Sequence, residues 1–504
     1  MSEATSGVLS FSSSTGGFIH QSPLGLALVL FGIYWLTKIL RPIDTSRPPR
    51  APYWIPWVGS ALELGRDPDS FFRNMTSNTL GPIFRVKTWG QKRIFVTSPS
   101  LISTVYRDSR NFDFQELNTD VGATTFSIDP SVGGQPYMLE TYSSALHYAL
   151  LPSNFQPMTV AFVANTHDCL RSTLANLRGS SVPLASFITA PIYHAAARAA
   201  FGSSFPVDET WSAFTVFDDS YFLLRSGIPR IFLSKPLAAW DKLTQVIESY
   251  VAGLQKDGDE VPHYIRAALA GREAGWTSRD VALVLGRQFW ALQTNTMWAA
   301  YWLVALLLKQ PEGLAPLVAE VDSARRRWLA INSTSSLTGF FEDVAHGSPR
   351  ILPLLTSALE ETLRYASQSV STRRVVNPVR LGGYDLREGE LVVCLARQVH
   401  MDDEIHPNAS TFDIRRYLKT PHPTKDGKLV ADHTIPFGGG DSMCIGRHFA
   451  MAELKSFMAI LLTYAVVEVD PTSSSRPEFA WERIGVGMLK PRGDMQVIVR
   501  KRQL

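Results

Sequence analysis

The chain is 504 residues long, 45% apolar and 19% charged, with a net charge of +3. It is long enough to bury a large core, and so close to neutral that no nucleic-acid partner is suggested. Cys169, Cys394 and Cys444 lie far apart with no Cys-x-x-Cys pair, which argues against a zinc site and a disulfide framework and fits a reducing compartment.

Residues 1–17 are rich in Ser, Gly and Thr and read as a disordered tail. Leu24 to Leu40 form an apolar stretch interrupted only by Thr37 and Lys38, and with Phe18 and Ile19 it gives one membrane anchor over 18–40. A cleaved signal peptide is the competing interpretation, but a basic start and a small-residue cleavage site before Arg41 are both lacking. Lys38, Arg41, Arg47 and Arg50 follow the apolar residues and only Glu3 precedes them, so the positive-inside bias leaves the tail in the lumen and the rest facing the cytosol. Arg47-Pro48-Pro49-Arg50-Ala51-Pro52 makes a stiff, extended hinge within 41–60, leaving 61–504 as one catalytic domain.

Ile83 to Thr88 and Arg93 to Thr97 flank Trp89-Gly90-Gln91 as a β-hairpin, and a helix starts at Pro99. From about residue 155 to 370 the pattern is helical, broken at Gly202, Pro206, Gly227 and Pro229. Within it, Thr277-x-x-Asp280 is a capping-box variant that opens a helix running to Gln310, before Pro311, about 48 Å long at the standard rise. Phe289 to Leu308 is apolar enough to suggest a second span. Gln293, Thr294, Asn295 and Thr296 would then put four adjacent polar groups in lipid, so a buried helix crossing the domain is preferred.

Leu352 to Tyr365 carries Glu361 and Arg364 three residues apart, on one helix face. Strand signals return at Arg373 to Val376 and Leu391 to Ala396. Near the end stands Phe437-Gly438-Gly439-Gly440-Asp441-Ser442-Met443-Cys444-Ile445-Gly446-Arg447, a glycine-rich loop presenting one cysteine just before a helix. Small residues at 438 to 440 and 446 let the backbone pass close under a flat cofactor, and peptide N–H groups at a helix start stabilise a thiolate.

Phe437, Gly440 and Gly446, seven and four before and two after Cys444, resemble the haem-binding loop of the cytochrome P450 family. Glu361-Thr362-Leu363-Arg364 resembles that family's Glu-x-x-Arg helix, and Phe412 to Tyr417 resembles the segment that supplies a third member, here Arg416. The resemblance implies a mostly α fold with a small β region behind one N-terminal transmembrane helix. It also implies haem b (iron protoporphyrin IX) with Cys444 as its axial thiolate, cradled by Phe437, Gly438, Gly440 and Gly446. Glu361, Arg364 and Arg416 would brace the loop as a buried, hydrogen-bonded set.

In the family the long helix passes over the haem with an acid followed by Thr, which help deliver protons during oxygen activation. Alignment on that pattern gives Ala291-Leu292-Gln293-Thr294-Asn295, in which Thr294 replaces the acid and Asn295 the alcohol. An amide orients water but supplies no acidic proton. Trp290-Ala291-x-Gln293-x-Asn295 resembles the branch with prostacyclin synthase and the bile-acid-pathway sterol hydroxylases. Waters ordered by Asn295 with Thr294 or Thr296 favour a monooxygenase using O2 and NADPH-derived electrons. The alternatives are a reductase-independent isomerase or dehydratase of a peroxide, of the prostacyclin-synthase type, and a non-catalytic haem-binding protein.

Two further departures concern the haem propionates. Ser442 stands where an Arg or His is common, and a Trp-x-x-x-Arg is missing around Ser144 to Tyr148. Arg373, nine residues after Arg364, sits where a family strand arginine meets a propionate, and His147 is a second candidate. Family topology puts the loop around Leu117 to Asp129, Leu292 and Gln293, the strand Gln368 to Ser371 with Val370 and Ser371, and Ile484 to Met488 with Val486 around the substrate, where Gly485 and Gly487 suggest an inward turn. Arg447-His448-Phe449-Ala450 resembles fungal biosynthetic members, which implies a terpenoid, steroid-like or polyketide substrate. Expected partners are NADPH-cytochrome P450 reductase, with cytochrome b5 as an optional donor, on the endoplasmic-reticulum membrane.

Overall fold

The structure, a computed structural model, describes residues 23–40, 44–177, 179–225, 228–254, 261–333, 336–347, 350–419, 422–481, 485 and 487–503. The chain divides into two compact units, Met1–Arg47 and Pro48–Leu504.

The first unit contains helix α1 (Pro23–Leu40), which leaves Leu26, Leu30, Phe31, Ile33 and Leu36 exposed. Among the described residues no helix is long and apolar enough to cross a membrane. The expected tail, the first five residues of the expected anchor, and Arg41 lie outside the described residues.

In the second unit, part of the stretch expected as a stiff, extended hinge pairs with the sheet. The Ala51 N–H donates to Arg85 O at 2.8 Å and the Arg85 N–H to Pro49 O at 2.7 Å, and Ala51 is buried. The hairpin forms as expected from β1 (Ile83–Thr88) and β2 (Gln91–Val96). Its turn needs positive φ at both central residues, +47° at Trp89 and +79° at Gly90, which matches the right-handed strand twist. Trp89 tolerates this against Trp57, with ring centroids 5.2 Å apart.

Helix α2 (Pro99–Arg107) follows, then the short strand β3 (Phe112–Asp113) and α3 (Gln115–Phe126). The region around Leu117 to Asp129 is therefore largely helical, not a loop. Farther along come α4 (Ser143–Ala149), α5 (Leu184–Phe201), α6 (Val207–Asp219) and α7 (Ser234–Gly253).

The long central helix is two helices, α8 (Ser278–Gln293) and α9 (Thr296–Leu307). Its start is as expected. Thr277 Oγ1 accepts from the Asp280 N–H at 3.1 Å, and Asp280 Oδ2 accepts from the Thr277 N–H at 2.8 Å. Gly286 in α8 is forced by close packing: a Cβ there would stand 2.8 Å from Thr244 Cγ2 and 3.1 Å from Trp240 of α7. The break falls at Thr294 and Asn295, where φ of Asn295 widens to −116° (ψ −43°) and both side chains bond to other elements. The helix ends at Leu307, short of the expected Gln310. Ahead of Pro311 the last turn tightens, with Lys309 and Gln310 N–H donating to Leu306 and Leu307 O.

Helix α10 (Pro353–Ala366) carries the Glu-x-x-Arg pair and feeds directly into β4 (Ser367–Gln368) and β5 (Val370–Val375). With β6 (Leu391–Leu395), the main sheet runs β1-β2-β6-β5-β3, in which only β2–β6 is parallel. Helix α11 (Arg447–Tyr464) follows the cysteine loop. Strand β7 (Gly487–Met488) pairs antiparallel with β4 and brings the carboxyl-terminal segment to the helix break. The helical core is continuous from Phe126 to Val499, with α9 inside it; Tyr301, Trp302, Leu303 and Val304 are all buried.

Candidate active site

Helix α10 supplies the brace. Glu361 has no exposed surface, and its carboxylate accepts from Arg364 Nε at 2.7 Å and Nη2 at 2.8 Å, from Arg416 Nε at 2.9 Å, and from the Asp413 N–H at 3.0 Å. Arg364 also donates to the carbonyls of His400 and Ala409, and Arg416 to those of Pro407 and Thr411. Both carboxylate oxygens and every guanidinium nitrogen are used, so the set fixes the segment before the cysteine loop. Arg416 is the third member, as expected.

The cysteine loop is held by local bonds: the Cys444 N–H donates to Phe437 O at 2.8 Å, and Ser369 Oγ to Pro436 O at 2.6 Å. The glycines divide by role. Gly438 and Gly446 face a cavity, whereas Gly439 and Gly440 are required by α2. A Cβ on Gly439 would stand 2.3 Å from Tyr106 Cδ2, and one on Gly440 would stand 2.3 Å from Tyr106 O, with φ of +55° besides. At 439 and 440 the packing of Tyr106 is by itself enough to require glycine.

The cavity, of about 320 Å³, is lined by Phe437, Gly438, Cys444, Gly446, Phe449 and Ala450 from the loop and α11. Ala291, Leu292, Asn295 and Thr296 line it from the central helices, Val370 and Ser371 from β5, and Gly485, Gly487 and Met488 from the carboxyl-terminal turn. Cys444 is accessible through this cavity, yet the protein around it pushes the thiol above its ordinary range. The backbone N–H groups of Gly446 and Arg447 and the Arg447 charge pull it back.

Arg373 tests whether haem fits. It is 1% exposed and donates to Ser371 Oγ and Ser442 Oγ, both at 2.7 Å, and to Gly439 O at 3.1 Å. Its guanidinium lies over the rings of Phe114 and Tyr106, at 4.9 and 5.4 Å. Among the described residues no carboxylate pairs with it within 4.0 Å. The Asp441 and Asp113 charges bear on it only from beyond contact distance, so a flat cofactor bearing carboxylates would give this buried cation a direct anion. The positive charge missing from the loop at Ser442 is thus delivered from β5 onto that same serine. His147 is exposed on α4 and is not among the residues bonded to Arg373.

The three central-helix candidates separate. Asn295 Oδ1 accepts from the Met488 N–H at 2.9 Å, and a Cβ on Gly487 would stand 2.6 Å from that oxygen. Thr296 lines the cavity, whereas Thr294 turns away and donates to Asp218 Oδ1 at 2.5 Å. Asp218, buried on α6, also accepts from Trp290 Nε1 at 2.9 Å and pairs with Lys490 at 2.6 Å. Thr294 therefore ties helices together and is corrected as a group facing the cavity. Gln293 likewise lies in the core, donating to Tyr193 O at 3.2 Å. Leu292, Val370 and Ser371 do line the cavity, Val486 lies outside the described residues, and none of Leu117 to Asp129 reaches it.

Sequence reasoning missed Asp218, Lys490 and Glu453. The first two are 272 positions apart and meet only in the fold. Glu453 left one trace, an acid inside the apolar run from Phe449 to Tyr464.

A cysteine on a braced loop that lines a cavity, with a buried guanidinium bonded to the serines of that cavity wall, fits a flat, acid-bearing metal cofactor. The sequence profile of the family described as Cytochrome P450 matches residues 49–497, and the chain belongs to that family. It is similar to the cholesterol 7-alpha-monooxygenase of Cricetulus griseus, 24% identical over 94% of this chain and 97% of the relative. It is also similar to the prostacyclin synthase of Rattus norvegicus, 26% identical over 95% and 99% of the two chains. Its fold matches the crystal structure of the cytochrome P450DA heme domain with a TM-score of 0.70, at 18% identity over 91% of this chain and 98% of the other. The protein is accordingly a cytochrome P450 monooxygenase, and the family implies haem held by a cysteine thiolate.

Proposed function

We propose that the protein oxidises a lipophilic specialised metabolite, a terpenoid, steroid-like compound or polyketide, with O2 and electrons drawn from NADPH through a membrane-bound reductase. The observation that carries this reading is the hydroxyl of Thr296 on the cavity wall. Reductive oxygen activation consumes protons, whereas rearrangement of an existing peroxide consumes none, and a cavity-facing hydroxyl is a group that moves them.

Haem, when bound, supplies oxygen activation, with the thiolate pushing electron density toward O–O cleavage. Cys444 would hold its iron and Arg373 a propionate. Glu361, Arg364 and Arg416 keep the loop in register, while Asn295, fixed to the Met488 N–H, holds the carboxyl-terminal turn against the helix break. Leu292 and Val370 offer apolar contact to a lipophilic substrate. The apolar helix α1, with basic residues after it, supports an endoplasmic-reticulum anchor and a cytosolic catalytic unit.

Incubation of the holoprotein with reductase, NADPH, ¹⁸O2 and an extract of the host's metabolites tests the reading. NADPH-dependent label in a product is expected. Turnover without NADPH would instead select the peroxide isomerase, and no turnover a haem-binding protein without catalysis.

A further inference from the structure

Two buried polar atoms that belong to the wall of one cavity have no hydrogen-bond partner among the described residues: Glu453 Oε1 on α11 and Ser367 Oγ on β4. Each residue is 1% exposed. Thr296, whose hydroxyl lines the same cavity, is the side chain that bears on the Glu453 carboxyl. From its own helix Phe449 and Ala450 border the site, from α10 Leu363, and no charged side chain bears on the carboxyl. A buried carboxylate with neither cation nor full hydrogen bonding is too costly to remain ionised.

We propose that Glu453, acting through Thr296, is the proton-donating carboxyl of this active site, in place of the acid that the central helix lacks at Thr294. Burial holds the Glu453 carboxyl well above the ordinary carboxylate range and so favours the protonated acid, with the Thr296 hydroxyl as the opposing influence. Asp218 cannot take this role, because it is paired with Lys490, accepts from Trp290 and Thr294, and does not line the cavity.

In the relay the Glu453 O–H bond breaks and its proton passes to Thr296 Oγ1, whose own hydroxyl proton moves into the cavity. The Glu453 carboxylate recovers a proton from solvent water by way of the Ser367 hydroxyl. Each cycle leaves the three side chains unchanged, and the electrons are those of the NADPH consumed. The inference rests on the monooxygenase reading, since only reductive oxygen activation draws protons into the site.

Glu453→Gln keeps the side chain's shape and removes its acidic proton. In holoenzyme with reductase, haem loading and the reduced carbon-monoxide spectrum are expected to be unchanged. Product formed per NADPH should fall by about 100-fold, the scale of general acid catalysis, with hydrogen peroxide released instead. Wild type at neutral pH should show an infrared C=O band of a protonated carboxyl that moves in ²H2O, moves again in Thr296→Val, and is absent from Glu453→Gln. Wild-type turnover without NADPH would overturn the monooxygenase reading. NADPH-dependent wild type with a fully coupled Glu453→Gln would overturn this inference alone. Should Glu453→Gln fail to load haem, the wild-type and Thr296→Val spectra decide: no protonated band, or one indifferent to Thr296→Val, rejects the relay.

Discussion

Glu361 and Glu453 are both sealed from solvent, at 0% and 1% exposure, and they meet opposite surroundings. Glu361 faces two guanidinium groups and a backbone N–H, all within 3.0 Å. Only the Thr296 hydroxyl bears on Glu453, and Oε1 of its carboxyl has no partner among the described residues. Burial therefore does not assign a carboxyl its task. Where partners saturate it, it is a rivet; where they are missing and a cavity is adjacent, it is free to exchange a proton.

The largest effect that sharpens this contrast is expected from Glu361→Ala. It leaves Arg364 and Arg416 without their anion, a loss of about 3–5 kcal/mol by analogy with other broken buried pairs. Failure to accumulate haem-loaded protein, read from the reduced carbon-monoxide spectrum, is the expected outcome, and a normally loaded soluble variant would make the brace dispensable.

Arg373→Ala comes next. It removes the buried cation assigned to a propionate, and losing one charge-assisted hydrogen-bonding group of about 1.5–3 kcal/mol corresponds to roughly 10- to 150-fold weaker haem retention. Haem transfer to apomyoglobin measures it, and unchanged retention would detach Arg373 from the cofactor.

A third test reads the charge of Glu453 through stability. Its pKa is raised in the native state, so on raising the pH above about 4.3 the unfolded chain releases that proton first. Stability then falls with pH by up to about 1.4 kcal/mol per unit until the native group ionises as well. Glu453→Gln should remove that share of the slope in urea unfolding across the same pH range. Equal slopes in both proteins would place Glu453 with Glu361 as a compensated charge.

The smallest effect is expected at His147. It is exposed on α4 and off the cavity wall, so His147→Ala should leave haem retention unchanged and stability within about 0.5 kcal/mol. Weaker retention would restore it as a propionate ligand.

Much of the site was legible because its parts are short and contiguous. The loop around Cys444, the Glu361 and Arg364 spacing and the Thr277 capping box each lie within one turn or one loop, so residue order nearly dictates geometry. Arg416 and Arg373 were singled out through the family resemblance; Arg416 bonds to Glu361, and Arg373 is buried against Ser371 and Ser442. The partners at the helix break were not legible, because Thr294 and Asn295 bond there to Asp218 on α6 and Met488 on β7. Nor was the cause of Gly439 and Gly440, which answers to Tyr106 on a helix some 330 residues earlier.

By itself, the order of residues determined which family this chain belongs to, where its thiolate stands and which charges brace the loop, since each depends on neighbours a few positions apart. Only the tertiary structure decided which polar groups are saturated and which are left over. That distinction is set by partners far away in the chain, and the free energy of a buried proton depends on all of them at once.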